Sequence, residues 1–140
     1  MSEPKRIQRK RTKGWRMPEG AVSVCRPSIW GNPFTHHDPA EAVAAYSRLI
    51  SGGTQSFLMG PGALQFAKGA HPDTLHWSFA GYVREHIHQL RGKDLACWCA
   101  ITSPDGYSPC HADVLLSIAN NIPMEEVIRE NLRWATRETL

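Results

Sequence analysis

Two short segments read as strands, 21–25 (Ala-Val-Ser-Val-Cys), rich in small and β-branched residues, and 93–99 (Lys-Asp-Leu-Ala-Cys-Trp-Cys), which follows a helix; two stretches of helical periodicity separate them, and this alternation leaves few topologies open. A helix between two strands returns the chain to the end where it started, so the strands pair in parallel. The first helix opens at Asp38-Pro39-Ala40-Glu41, with an N-cap carboxylate, proline at the first helical position and Glu41 three residues after the cap. Val43, Tyr46, Leu49 and Ile50 share one face of it, and Gly52-Gly53 ends it. Residues 77–90 repeat the pattern with Phe79, Val83, Ile87 and Leu90, closing at Arg91-Gly92. A third helix is expected over 111–119 with Val114, Leu115 and Ile118 inward, and a fourth from Pro123 with Val127, Ile128 and Leu132. Residues 54–76 show no readable period, and 100–109 read as a loop. The expected fold class is therefore α/β: a small two- or three-layer Rossmann-like domain with a short, mainly parallel sheet and helical crossovers.

Charge divides the chain unevenly. Residues 1–16 carry seven basic residues against Glu3, whereas 17–140 carry nine basic and twelve acidic ones. The expected organisation is a basic N-terminal arm, 1–16, on a single α/β domain, 17–140, and 140 residues suit one domain. A basic block of this kind contacts nucleic acid through phosphates, with Arg9, Lys10, Arg11 and Lys13 as its candidates, or else serves as a solubilising tail. Trp15 at the end of the arm favours docking onto the body. With no apolar run of membrane length and no apolar signal segment, no membrane partner is expected and the setting is read as cytoplasmic.

In such a setting clustered cysteines point to metal binding or reactive chemistry. Cys97 and Cys99 lie two apart on a strand and so share a face, and Cys110-His111 follow at the start of a helix. Cys97, Cys99, Cys110 and His111 could form a four-ligand zinc site. Equally, Cys110 at a helix N-terminus could be an activated thiol, with His111 as acid or base and Asp113 orienting it or binding a substrate hydroxyl, in a catalytic cluster without metal. A structural role for all of them is the third reading, and Cys25 reads as core or site lining.

The other informative loop follows the first strand: Arg26-Pro27-Ser28-Ile29-Trp30-Gly31-Asn32-Pro33-Phe34. Trp30 and Phe34 could sandwich a base, Asn32 could read an edge, and Arg26 could hold a phosphate. Trp15, Arg16 and Ser28 complete the candidate substrate-binding set, and the competing reading makes Trp30 a core plug. Both loops leave carboxyl ends of strands, where open parallel sheets bind ligands.

Four motifs in order, Thr12-Lys13-Gly14-Trp15-Arg16-Met17-Pro18, Arg26-Pro27-Ser28 with Trp30-Gly31-Asn32-Pro33-Phe34, Leu95-Ala96-Cys97-Trp98-Cys99 and Cys110-His111-Ala112-Asp113-Val114-Leu115, resemble an uncharacterised family of phage and bacterial domains (domain of unknown function 4326) over about residues 7–121. The resemblance implies a site but no reaction, and a phage setting would imply nucleotide or nucleic-acid metabolism in the host cytoplasm. The functional expectation is a protein handling a nucleotide, nucleoside or nucleic-acid base, as an enzyme of glycosyl or group transfer. The competing expectations are a non-catalytic, zinc-stabilised nucleic-acid-binding module and a phage accessory protein that binds a host factor.

Overall fold

The computed structural model describes residues 4–25, 28, 30–32, 34–35, 39–50, 65–66 and 80–138. Its centre is a three-stranded parallel sheet of order β1-β5-β2, formed by β1 (Arg6–Gln8), β2 (Val22–Ser23) and β5 (Leu95–Cys97). Leu95, Ala96 and Cys97 pair with Arg6, Ile7 and Gln8 on one side, and Leu95 and Ala96 with Val22 and Ser23 on the other. The parallel pairing of the two segments read as strands is as expected. The third strand lies inside the stretch read as an arm, so the arm's first half belongs to the sheet. Arg6 and Ile7 are buried, and Leu95 N–H and Arg9 N–H carry the ladder past both ends of β1 by donating to Lys5 O (3.0 Å) and Cys97 O (2.7 Å). Lys5 anchors the entry to β1, donating from its backbone N–H and from Nζ to the two oxygens of Asp94, 3.0 Å each.

Helix α1 (Pro39–Ile50) begins at the expected proline and buries Ala42, Ala45, Tyr46 and Ile50 at helical spacing. Its expected cap, Asp38, and the stretch 54–76 beyond it lie outside the described residues, apart from β4. Two residues of that stretch, β4 (Gln65–Phe66), pair antiparallel with β3 (Phe34–Thr35). Helix α2 (Ala80–His86) runs into a 3-10 turn, Ile87–Leu90, and the buried Val83, Ile87 and Leu90 are the stripe read from the sequence. Phe79 lies outside the described residues.

Helix α3 (His111–Asn120) is the hub, packed on α1, the 3-10 turn, β1, β5 and α4 (Met124–Glu138). It ends where Asn121 adopts the left-handed conformation (φ 53°), donating its N–H to Ile118 O. Its buried face differs from expectation: Leu116 and Ala119 turn inward with Val114 and Leu115, whereas Ile118 is 39% exposed. Contacts on several sides of the helix bury more than one stripe, which moves the inward arc away from Ile118. On α4, Val127 is buried as expected, and among the described residues so are two polar ones, Glu130 and Asn131. Glu130 accepts from Arg133 Nη1 (3.0 Å) and Trp134 Nε1 (2.9 Å).

Residues 100–109, read as a loop, contain a hairpin of β6 (Thr102–Ser103) and β7 (Gly106–Tyr107). Gly106 at φ 118° makes the tight reversal possible, and Ser108 N–H donates to Ile101 O at 2.9 Å. The hairpin folds the ten-residue gap back on itself and returns the chain to Cys110 beside Cys99. No helix among the described residues is long and apolar enough to cross a membrane.

Candidate functional site

Because all three strands of the main sheet are parallel, their carboxyl ends lie on one edge. Arg9 follows β1, Val24 and Cys25 follow β2, and Trp98 and Cys99 follow Cys97 at the end of β5. The hairpin delivers Cys110, the N-cap of α3, to the same edge.

Three thiols meet there. The Sγ atoms of Cys97, Cys99 and Cys110 all lie within 4.8 Å of one another, with Cys97 and Cys99 3.6 Å apart. Cys97 and Cys110 are buried and Cys99 is exposed. The strand stops at Cys97, so the bend at Trp98-Cys99 brings the two sulfurs together, and not the strand alternation read from the sequence. Three close cysteines of this kind could hold a metal ion. Without one, the thiols hold their protons. A hydrogen bond with Cys97 pushes Cys110 up to about 12, Cys99 counteracting and burial adding to the rise. A bond with Cys110, and burial against the opposing bond with Cys97, push Cys99 up to about 11. For Cys97 the bond with Cys110 works downward, but Cys99 and burial outweigh it and leave the thiol at about 12.

His111 borders this triad at Cys110. Its Nε2 lies 2.6 Å from Val24 O, and a carbonyl only accepts, so Nε2 carries the proton. Nδ1 lies 3.5 Å from Cys110 Sγ. These two contacts place His111 between Cys110 and Val24, the residue after β2. Of the four ligands read from the sequence, the three cysteines form the group close enough to hold a metal ion among the described residues.

Asp113 sits under the triad, 2% exposed, with a donor at every turn. Its Oδ2 accepts from Cys110 N–H (3.1 Å), Tyr107 Oη (2.8 Å) and Arg6 Nη1 (3.4 Å), and its Oδ1 from Asn131 Nδ2 (3.0 Å). Asn131 also donates to Tyr107 Oη and accepts from Arg6 N–H. Arg6 Nη2 donates to Ser108 O (2.8 Å) and Ala100 O (3.2 Å), the two ends of the hairpin segment. Burial works against the Arg6 charge, but Asp113, then Cys110 and Tyr107, more than offset it. Burial also pushes the Asp113 carboxyl up, with Arg6 and the other donors pulling it down, and burial and then Asp113 raise the Tyr107 hydroxyl. The network fixes the position of Cys110 and of the hairpin, and Asp113 acts through it. Sequence reasoning missed Arg6, Tyr107 and Asn131. Ile7, the one aliphatic residue among the arm's cations, was the available signal for β1.

The tryptophan loop turns inward. Trp30 is 8% exposed and belongs to the hydrophobic core; its carbonyl accepts from Tyr46 Oη at 2.7 Å and its N–H donates to Ser28 Oγ at 3.1 Å. Asn32 is buried, with Nδ2 donating to Ala42 O at 3.1 Å. Tyr46 joins this loop to the cysteine–histidine segment, since its ring meets His111 edge-on at 5.4 Å, and burial, with a smaller contribution from Cys110, raises its hydroxyl. Arg26 and the side chain of Phe34 lie outside the described residues.

Trp98, absent from the expected site, is 40% exposed, and the guanidinium carbons of Arg9 and Arg11 lie over its ring at 4.4 and 4.7 Å. Arg9 also reaches Ser23 Oγ (3.3 Å) and Cys25 Sγ (3.7 Å), tying the platform to the end of β2. Lys10, Arg11, Lys13 and Arg16 are exposed, and Trp15 is half-buried in a turn that its N–H closes on Thr12 O.

A profile describing a domain of unknown function (DUF4326) matches residues 7–121, and the chain belongs to that family. No curated protein and no solved structure matches the chain.

Proposed function

We propose that this protein handles nucleotides or nucleic acid at the carboxyl edge of its parallel sheet. The observation that carries the reading is the exposed Trp98 under two guanidiniums, in a chain whose residues 9–16 hold five cations and no carboxylate. Guanidinium planes and an indole offer stacking surface to any base, and the flanking Lys10, Lys13 and Arg16 suit phosphates. Read as a small Rossmann-like unit, the sheet would take its ligand beyond these strand ends. Four cysteines that stay as free thiols suit a reducing cytoplasm.

The thiol triad beside the platform favours the enzymatic form of this reading: group transfer or hydrolysis on a nucleoside, nucleotide or base. Zinc is the ion that three thiolates suit best, and it would supply a Lewis acid or an activated water. In that form Cys110 helps hold the ion, Asp113 keeps Cys110 in place, and His111 ties the start of α3 to β2.

Fluorescence anisotropy with labelled single-stranded oligonucleotides, at stepped salt concentrations, tests the reading. Four neutralised phosphates would give a slope of log K on log salt of about −3. Absence of binding to any DNA, RNA or mononucleotide at low salt would overturn it.

A further inference from the structure

The triad deepens the zinc reading above, because its geometry names both the ligand set and the position left for chemistry. A tetrahedral ion with metal–sulfur bonds of about 2.3 Å places its sulfurs about 3.8 Å apart. Cys97 and Cys99 already stand at 3.6 Å, and no pair in the triad exceeds 4.8 Å. Small side-chain rotations therefore bring all three sulfurs onto one ion.

The three donors come from the last residue of β5, the bend two residues later, and the N-cap of α3. Asp113 clamps the backbone of Cys110, and Arg6, which holds Asp113, also holds both ends of the segment between Cys99 and Cys110. Such outer-shell bonds orient ligands before the ion arrives. His111 is committed to Val24 O and does not complete the set. Two of the donors are buried and the third, Cys99, is exposed and follows Trp98 in the chain, so the exposed member of the triad adjoins the basic platform.

We propose that Cys97, Cys99 and Cys110 bind one zinc ion as a three-thiolate centre whose fourth coordination position takes an exogenous ligand. Structural zinc sites close with four protein donors, whereas reactive ones keep three and leave a position for water or substrate. The centre belongs to the second kind, and the exchangeable ligand sits at the foot of the Trp98 platform. The substrate class that fits is a nucleotide or base able to offer the ion a nitrogen or oxygen donor.

Cobalt(II) titration of the reduced, chelator-stripped protein tests this without any substrate. The expected result is one ion per chain, a thiolate-to-cobalt charge-transfer band with intense tetrahedral visible bands, and bleaching by zinc. Cys99→Ser, at an exposed position, abolishes that spectrum in a folded protein, while His111→Gln retains it. Added imidazole shifts the visible bands by entering the fourth position. Substoichiometric binding, an unchanged spectrum in Cys99→Ser, or bands that imidazole leaves unmoved would each overturn the proposal. Oligonucleotide binding plays no part in the assay, so its outcome is independent of the nucleic-acid reading.

Discussion

Two tryptophans follow the carboxyl ends of neighbouring strands and do opposite things. Trp30, beyond β2, is 8% exposed and packed in the core, while Trp98, beyond β5, is 40% exposed under two arginines. Position at a strand end is shared, so it does not make a residue a ligand platform. The partners decide: Tyr46 and Ala42 on α1 draw the Trp30–Asn32 turn inward, whereas Arg9 and Arg11 lie over the half-open ring of Trp98. Tryptophan as a plug stabilises the fold; tryptophan as a platform costs the fold little and leaves its surface for a ligand.

That contrast is open to breakage. Trp30→Ala should destabilise the protein by about 3–5 kcal/mol, the range for deleting a buried aromatic, measured by urea unfolding; a loss below about 1 kcal/mol would put Trp30 outside the core. A loss of similar size, about 3–5 kcal/mol, is expected for Arg6→Met, which leaves Asp113 buried without its cation. The double variant Arg6→Met/Asp113→Leu should recover part of that loss, since an apolar pair leaves no charge behind. Tyr46→Phe leaves the Trp30 carbonyl without its donor and should cost about 1–3 kcal/mol. Trp98→Ala should do the reverse of Trp30→Ala. Stability should change by about 0.5 kcal/mol or less, while oligonucleotide affinity falls roughly tenfold through lost stacking. The smallest effect is expected for Arg11→Ala, a few-fold loss of affinity with a shallower salt slope.

Much of the frame was legible before any coordinates. Residues 21–25 announce a strand by their small and β-branched residues, 93–99 by their place just after a helix that Gly92 closes, and Pro39 and Asn121 mark helix ends by backbone chemistry that depends only on near neighbours. The illegible parts depend on distant partners. A three-residue strand such as β1 has too little period to show, and Arg6 reads as an arm cation until Asp113 and the carbonyls of Ala100 and Ser108 surround it. Ile118 and Leu116 exchange roles because α3 is covered on several sides, a fact no single stripe encodes. At the candidate site, the cysteines were legible as a group from their spacing. The bond of His111 to Val24 O was not, and the choice between Trp30 as platform and as core plug stayed open, because each follows from one long-range hydrogen bond.

Trp98, and not Trp30, is the indole that should meet the ligand. Photo-crosslinking with an oligonucleotide carrying 5-iodouracil, followed by peptide mass spectrometry, reads that out residue by residue. The predicted result is an adduct on Trp98 or within residues 9–16. An adduct confined to the peptide carrying Trp30, with Trp98 unmodified, would contradict it.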